Sequence, residues 1–215
     1  MLELYFIRHA ECEANTHPEI IGGRSNSSPL TANGKEQARK LYQRLNNINF
    51  DEIFCSPAVR AIETARIGIG SLEKIIITDK LQELDQGEWT GKVRKDTYTP
   101  ETLEIISKDP LNFKAQGGES QYEVAIRMKE WLDETKVNYP SDYKIAAFTH
   151  NGAIKYLLRD LLSKDIGIDF SIQLENTSIT QIRYTEGTWK LSRFNDYMHL
   201  IDNQSLLLYD NKVFI

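Results

Sequence analysis

Cysteine is scarce in this chain. Cys12 and Cys55 are the only two among 215 residues, and two thiols without a paired framework exclude a disulfide scaffold and suit a reducing cytoplasm. Long apolar runs are missing as well. Nothing reaches the length of a membrane span, and the first residues lack the basic-then-apolar shape of a secretory signal. A cytoplasmic chain with no membrane partner is therefore expected. Positive charge is in deficit, with 26 Lys and Arg against 31 Asp and Glu and a net charge of −5. That balance argues against nucleic acid as a partner. An anion site would have to be a local cluster of arginines and histidines set against the field of the whole chain. His-x-x-x-His and Cys-x-x-Cys spacings are absent, so no metal site is expected. Internal repeats and low-complexity segments are absent too.

What is present is an alternation of strand and helix patterns. Residues 2–8 read as a buried strand, and residues 9–30 as a loop rich in Gly, Asn, Ser and Pro. Thr31 reads as the N-cap of a helix with Ala38, Leu41, Tyr42, Leu45 and Ile48 on its apolar face. Ile53 to Cys55 is a short strand, and Ser56-Pro57 predicts a helix start, giving a helix over 57–70. Lys74 to Thr78 is a further strand. The stretch 84–117 has weak periodicity and reads as a long excursion with one helix near 99–107. Ser120-x-x-Glu123 is a capping box opening a helix with Val124, Met128, Trp131 and Leu132 on one face. Tyr143 to Thr149 is a strand that leads at once into a helix carrying Ile154, Tyr156, Leu157, Leu158 and Leu161. Residues 174–184 and 188–194 form a hairpin around Glu186-Gly187. The expected fold is α/β: a three-layer sandwich with a mainly parallel central sheet, an antiparallel edge strand and helices on both faces. The length fits a single domain over 1–215, with 84–117 as a lid or specificity excursion.

Four strand ends or helix starts carry polar residues suited to chemistry. They are Arg8-His9 with Glu11 and Asn15, Ser56-Pro57 with Arg60, Leu81-Gln82-Glu83, and Thr149-His150-Asn151-Gly152. The carboxyl ends of parallel strands lie along one sheet edge, where ligands bind in open α/β sheets. Two arginines, two histidines, a carboxylate and helix N-termini would converge there. That inventory suits a phosphate ester. Guanidinium forks bind phosphate oxygens bidentately, and helix N-termini add N–H donors. A neutral imidazole can attack phosphorus, and a carboxyl group can protonate the leaving alkoxide. A cysteine-dependent phosphatase loop is excluded, because the spacing from Cys55 to Arg60 is one residue short.

Arg8-His9-Ala10-Glu11 with Asn15 resembles the Arg-His-Gly-Glu signature of the histidine phosphatase superfamily, the phosphoglycerate-mutase-like fold. The resemblance covers nearly the whole chain. Gly23-Arg24, Ser28-Pro29-Leu30-Thr31, Ser56-Pro57-x-x-Arg60-Ala61, Leu81-x-Glu83, Gly87-Glu88-Trp89-x-Gly91, Gly117-Gly118-Glu119-Ser120, Thr149-His150, Leu174-x-Asn176-Thr177-Ser178 and Asn195-Asp196-x-x-His199 follow that family's motifs in order. The resemblance implies that His9 is a phosphorylated nucleophile. It makes Arg8, Arg60 and His150 the clamp on the phosphoryl group, Asn15 a residue of its rim, and Glu83 the general acid and then base. Glu83 is preferred for that role over Glu11, Asp85 and Glu88. The resemblance implies no cofactor or metal. It places Gly23, Arg24, Trp89 and Asn151 in the substrate pocket. Two departures stand out: Ala10 replaces the more usual glycine, and Asn151 stands where glycine often follows the second histidine.

Cofactor-dependent mutases of this family carry an arginine pair and a proline-rich run in the excursion. Here Arg94 is the one arginine between 84 and 117. The expected activity is therefore a phosphomonoester hydrolase acting on a small phosphorylated metabolite, as a monomer or homodimer. Phosphoglycerate mutase is the alternative, and a phosphoprotein-directed phosphatase or a non-catalytic phosphate-binding module come behind. His199 is expected to fix C-terminal structure, Trp131 and Cys55 to be packing residues, and Cys12 to lie in a loop near the site.

Overall fold

A computed structural model describes residues 1–70, 74–139, 141–162 and 173–201. The strands are β1 (Leu2–Arg8), β2 (Glu52–Cys55), β3 (Ile75–Ile77), β4 (Lys144–Thr149), β5 (Ile179–Thr185) and β6 (Thr188–Asp196). The helices are α1 (Ala32–Leu45), α2 (Val59–Ile69), α3 (Arg94–Thr97), α4 (Pro100–Lys108), α5 (Gln121–Asn138) and α6 (Asn151–Leu162). The strands form one sheet in the order β3-β2-β4-β1-β5-β6. β3, β2, β4 and β1 run parallel, and the β5–β6 hairpin adds the antiparallel edge. The expected sandwich is the observed one.

The core explains the layering. β1 lies between β4 and β5, so alternate side chains must be buried on opposite faces. Leu2, Leu4 and Phe6 join the cluster under α5 and α6, with Met128, Trp131, Leu132 and Leu157. Tyr5 and Ile7 join the cluster under α1 and α2, with Leu41, Ala61, Ala65 and Phe148. Each large apolar side chain so buried contributes roughly 1.5–3 kcal/mol. That is why a chain with ordinary composition holds its sheet without crosslinks.

Local signals set most of the boundaries. The Thr31 hydroxyl accepts from the Gly34 N–H and opens α1. Ser120 and Glu123 form the reciprocal capping box of α5. Thr99 caps α4 with Pro100 in its first turn. Glu186 (φ 53°) and Gly187 (φ 80°) turn the hairpin with both central residues left-handed, as a two-residue loop of matching twist requires. Two boundaries differ from expectation. α2 begins at Val59 behind Ala58, without a side-chain cap; Ser56 lies two residues before that cap, where its hydroxyl oxygen meets the Ala58 N–H at 3.4 Å and His150 Nε2 at 2.8 Å. β5 begins at Ile179 rather than 174, because residues 174–178 turn their polar groups toward Arg8 and His9 instead of a ladder. No helix among the described residues is long and apolar enough to cross a membrane.

Candidate active site

The carboxyl ends of three neighbouring strands deliver the site. His9 follows β1, Ser56 follows β2 and His150 follows β4. The His9 N–H donates to the Thr149 carbonyl at 3.0 Å, and the Ser56 N–H to the Phe148 carbonyl at 3.0 Å, so pairing holds these residues one step past their strands. The two imidazoles lie 5.1 Å apart between ring centroids. His9 borders a cavity of about 550 Å³, together with Arg8, Asn15, Arg60, Glu83 and Tyr156.

His9 is 4 % exposed. Its Nδ1 lies 2.8 Å from the Ala10 carbonyl oxygen. A carbonyl only accepts, so Nδ1 carries the proton and Nε2 keeps its lone pair. Burial, and then the Arg60 and Arg8 guanidiniums, hold the imidazole well below its ordinary pKa, which keeps the ring neutral. Ala10 fits where glycine was more usual. Its N–H donates to the Thr64 hydroxyl at 2.9 Å, and its methyl packs with Cys12, Leu30 and Ala38.

Arg60 sits in the first turn of α2 and is 3 % exposed. Nη1 donates to the carbonyls of Arg24 and Ser25 at 2.9 and 2.8 Å. Nη2 donates to His150 Nδ1 at 3.2 Å. A guanidinium has no acceptor, so His150 is neutral with its proton on Nε2, which donates to the Ser56 hydroxyl at 2.8 Å. Burial first, then Arg60, pushes the His150 pKa down. Both ring nitrogens of His150 are thus engaged, Nδ1 by Arg60 and Nε2 by Ser56.

Arg8 donates from Nη1 to the Leu174 carbonyl, and its Nε is buried with no partner. Among the described residues neither Arg8 nor Arg60 forms an ion pair. The nearby carboxylates of Asp85 and Glu119 are taken by Arg24 and Arg127. Burial lowers both guanidinium pKa values, and the more distant Glu83 opposes this without contact. A buried cation beside a half-buried one, with no counter-ion, is costly unless an anion completes them.

Glu83 lies on the same cavity. Its Oε1 accepts from the Leu84 N–H at 2.8 Å and its Oε2 from the Gly152 N–H at 3.1 Å. Glycine at 152 lets the carboxylate come this close, because a Cβ there would stand 2.3 Å from Glu83 Oε1. Tyr156, one turn further along α6, is pushed up to about 12 by burial and by the charge of Glu83, so its hydroxyl stays protonated beside that carboxylate.

The remaining expected residues divide. Asn15, Gly23 and Asn151 line the cavity. Asn15 accepts from the Cys12 N–H at 3.1 Å through Oδ1, which leaves its amide donors for a ligand oxygen. Asn151 accepts from the Leu174 N–H at 3.1 Å, so it ties α6 to the turn that holds Arg8. Arg24 and Trp89 do not line the cavity. Arg24 turns its guanidinium to Asp85 (3.3 Å) and Glu119 (3.1 Å) and braces the excursion. Trp89 packs edge-on against Tyr98, with ring centroids 5.3 Å apart, and against Phe113 at 5.4 Å, inside the excursion. His199 donates to Thr177, Trp131 lies in the core beneath α5, and Cys12 borders the cavity.

Sequence reasoning missed Arg127, which donates to the carbonyls of Lys80 (2.9 Å) and Glu83 (3.1 Å) and pairs with Glu119, so that it anchors the Glu83 backbone. On the α5 pattern it reads as a solvated residue, and only its position one turn after the capping box hints at the site. Tyr156 was assigned to the apolar face of α6. The excursion is stitched to the loop after His9 by the N–H groups of Ile21, Gly91 and Arg94, which donate to Lys92, Ile21 and Glu19 carbonyls at 3.0, 2.8 and 2.7 Å.

Comparisons with known proteins show the family and the fold. The family model of the histidine phosphatase superfamily (branch 1) matches residues 4–197. The chain is 31 % identical over 197 residues to a probable phosphoglycerate mutase GpmB of Enterobacter sp. (strain 638), covering 89 % of each chain. It is 28 % identical over 203 residues to phosphoserine phosphatase 1 of Hydrogenobacter thermophilus, covering 93 % of this chain and 95 % of that one. Among solved structures it is similar to Entamoeba histolytica phosphoserine phosphatase in complex with 3-phosphoglyceric acid, with a TM-score of 0.80, 29 % identity and coverage of 94 % and 100 %. With its motifs in order, its fold shared and the model matched over most of its length, this chain belongs to the histidine phosphatase superfamily.

Proposed function

We propose that this protein is a phosphomonoester hydrolase that works through a phosphohistidine on His9. The carrying observation is the pair of guanidiniums, Arg60 buried and Arg8 half-buried, that lack an ion-pair partner among the described residues and flank a neutral imidazole with its Nε2 lone pair free. A phosphoryl dianion supplies the missing charge. In the first half-reaction Nε2 attacks phosphorus, the bond to the ester oxygen breaks, and Glu83 gives its proton to the leaving alkoxide. In the second, Glu83 takes a proton from water, the water oxygen attacks phosphorus, and the P–N bond breaks to release phosphate. Arg8, Arg60 and the Asn15 amide hold the equatorial oxygens, and fixed charges of this kind carry most of the stabilisation in phosphoryl transfer. His150 acts here by holding Arg60.

The cavity volume of about 550 Å³ supports a small phosphorylated metabolite as substrate. Residues 84–117 serve as the specificity segment of a single-domain enzyme. A mutase reading is favoured by the similarity to the GpmB relative. Against it stands the excursion, which carries a single arginine and not a pair; that residue, Arg94, borders the cavity, donates to the Pro18 carbonyl at 3.2 Å and lies over the Tyr98 ring. The test is a panel of phosphoserine, phosphoglycerates, sugar phosphates and nucleotides with released phosphate counted. In parallel, 3-phosphoglycerate is followed for conversion to 2-phosphoglycerate with and without bisphosphate. Phosphate release faster than isomerisation is expected; the reverse order would replace the hydrolase with a mutase.

A further inference from the structure

The turn from Leu174 to Ser178 touches no part of the cavity, yet it grips both residues at the end of β1. The Leu174 carbonyl accepts from the Arg8 guanidinium, and the Ser178 carbonyl from the Arg8 N–H at 3.2 Å. The Asn176 amide donates to the His9 carbonyl at 2.9 Å, and the Thr177 N–H adds a longer contact to the same oxygen at 3.4 Å. At the centre stands Thr177, fully buried with φ +58°. A β-branched residue in the left-handed region is an outlier that persists only where its surroundings hold it. The side chain that meets its hydroxyl is His199. The Thr177 hydroxyl donates to the Asn176 carbonyl at 2.7 Å, so its oxygen accepts from His199 Nε2–H at 2.9 Å. The imidazole comes from the 3-10 turn Met198–Leu200 after β6, and burial pushes its pKa down to about 4, so it stays a neutral donor. Asn195 Oδ1 accepts from the Glu175 N–H at 2.8 Å, which ties the turn to the same edge strand a second time.

We propose that Thr177 and His199 are positioning residues of the reaction: His199 locks Thr177 in its strained conformation, and the locked turn sets the relative placement of Arg8 and His9. The proposal rests on the reading of His9 as nucleophile. Its reach is the geometry of attack, where a displacement of about 1 Å costs on the order of 100-fold in rate.

The test is rapid-quench measurement of phosphohistidine formation from an aryl phosphate, with burst rate and burst amplitude recorded separately, and with vanadate inhibition as a probe of the Arg8 clamp. Thr177→Ala and His199→Ala are expected to lower the burst rate and weaken vanadate by about 10-fold or more each, with the amplitude per folded protein near that of the unaltered enzyme. Thr177→Ser and His199→Gln, which keep the hydroxyl and a side-chain N–H donor, restore most of the rate. A merely structural role would lower the amplitude and the melting temperature and leave the burst rate of the remaining active fraction unchanged. That outcome, or Ala variants within 2-fold of the unaltered burst rate, overturns the proposal. Should the unaltered enzyme form no phosphohistidine at all, the His9 reading fails together with it; normal formation with indifferent variants removes only the positioning role.

Discussion

The contact between Gly152 and Glu83 yields the sharpest prediction. A methyl group at residue 152 would stand 2.3 Å from Glu83 Oε1 and 3.3 Å from Tyr156 Cε2. Glu83 Oε1 is the far end of a flexible side chain, so it retreats by about 1 Å to reach ordinary van der Waals distance. The fold loses little, since the group that must give way is the end of a flexible side chain and Gly152 lies in the first turn of α6 without a left-handed conformation. The chemistry loses much, because general acid catalysis contributes typically 10²–10⁴-fold and depends on hydrogen-bond reach. Gly152→Ala is therefore expected to lower the single-turnover rate of phosphoenzyme formation from an alkyl phosphate, the step that precedes water attack and is read apart from kcat, by about 100-fold, or about 2.7 kcal/mol of barrier, with the melting temperature little changed. The assay compares an alkyl phosphate, whose alkoxide needs a proton, with 4-nitrophenyl phosphate, whose phenolate leaves without one. The loss should be several-fold smaller for the aryl ester. Equal losses on both esters, or no loss on either, would refute the placement of Glu83 as the acid.

Other outcomes follow from the same geometry. Arg60→Ala removes the donor to the Arg24 and Ser25 carbonyls and to His150 Nδ1, so vanadate binding should fall steeply. Urea unfolding of that variant should show a loss of about 1–3 kcal/mol from the polar groups left behind. His9, His150 and His199 all have pKa values lowered by folding. The unfolded chain therefore binds more protons than the native one below about pH 6.5, and stability present at pH 7.5 is lost as pH falls from about 6.5 toward the lowered native values. Urea midpoints at pH 7.5 and 5.0 should show this decline, and a flat profile would contradict the buried neutral imidazoles. Trp131→Ala empties the space beside Phe6 and Phe54 and should cost about 3–5 kcal/mol by denaturant titration without altering KM.

The parts of the fold that were legible are those with local causes. Thr31 and the Ser120–Glu123 box announce helices through hydrogen bonds within a few residues of sequence, and Glu186-Gly187 marks a hairpin through backbone conformation. The convergence of His9, Arg60 and Glu83 was legible because parallel strands share one edge. What failed depended on partners far away in sequence. Ser56 reads as a cap, but it lies two residues before the observed one, and its hydroxyl meets His150, 94 residues on. Arg24 reads as a pocket residue, but Asp85 and Glu119 draw it aside. Trp89 reads as a pocket roof, but it packs against Tyr98 and Phe113 and lines a neighbouring pocket with Leu84, Gln86 and Tyr156. Arg127 and the Thr177–His199 contact carry no local pattern, since their meaning lies in which carbonyl or hydroxyl the fold brings near.

The central claim is that phosphate passes through His9 Nε2. The direct measurement is acid–base lability and peptide mass mapping of the phosphoenzyme trapped during turnover of a phosphomonoester. A base-stable, acid-labile phosphoryl group on the peptide containing His9, absent from His9→Ala, is the result this account predicts. Label on another residue, or His9→Ala that turns over at the unaltered rate, would contradict it.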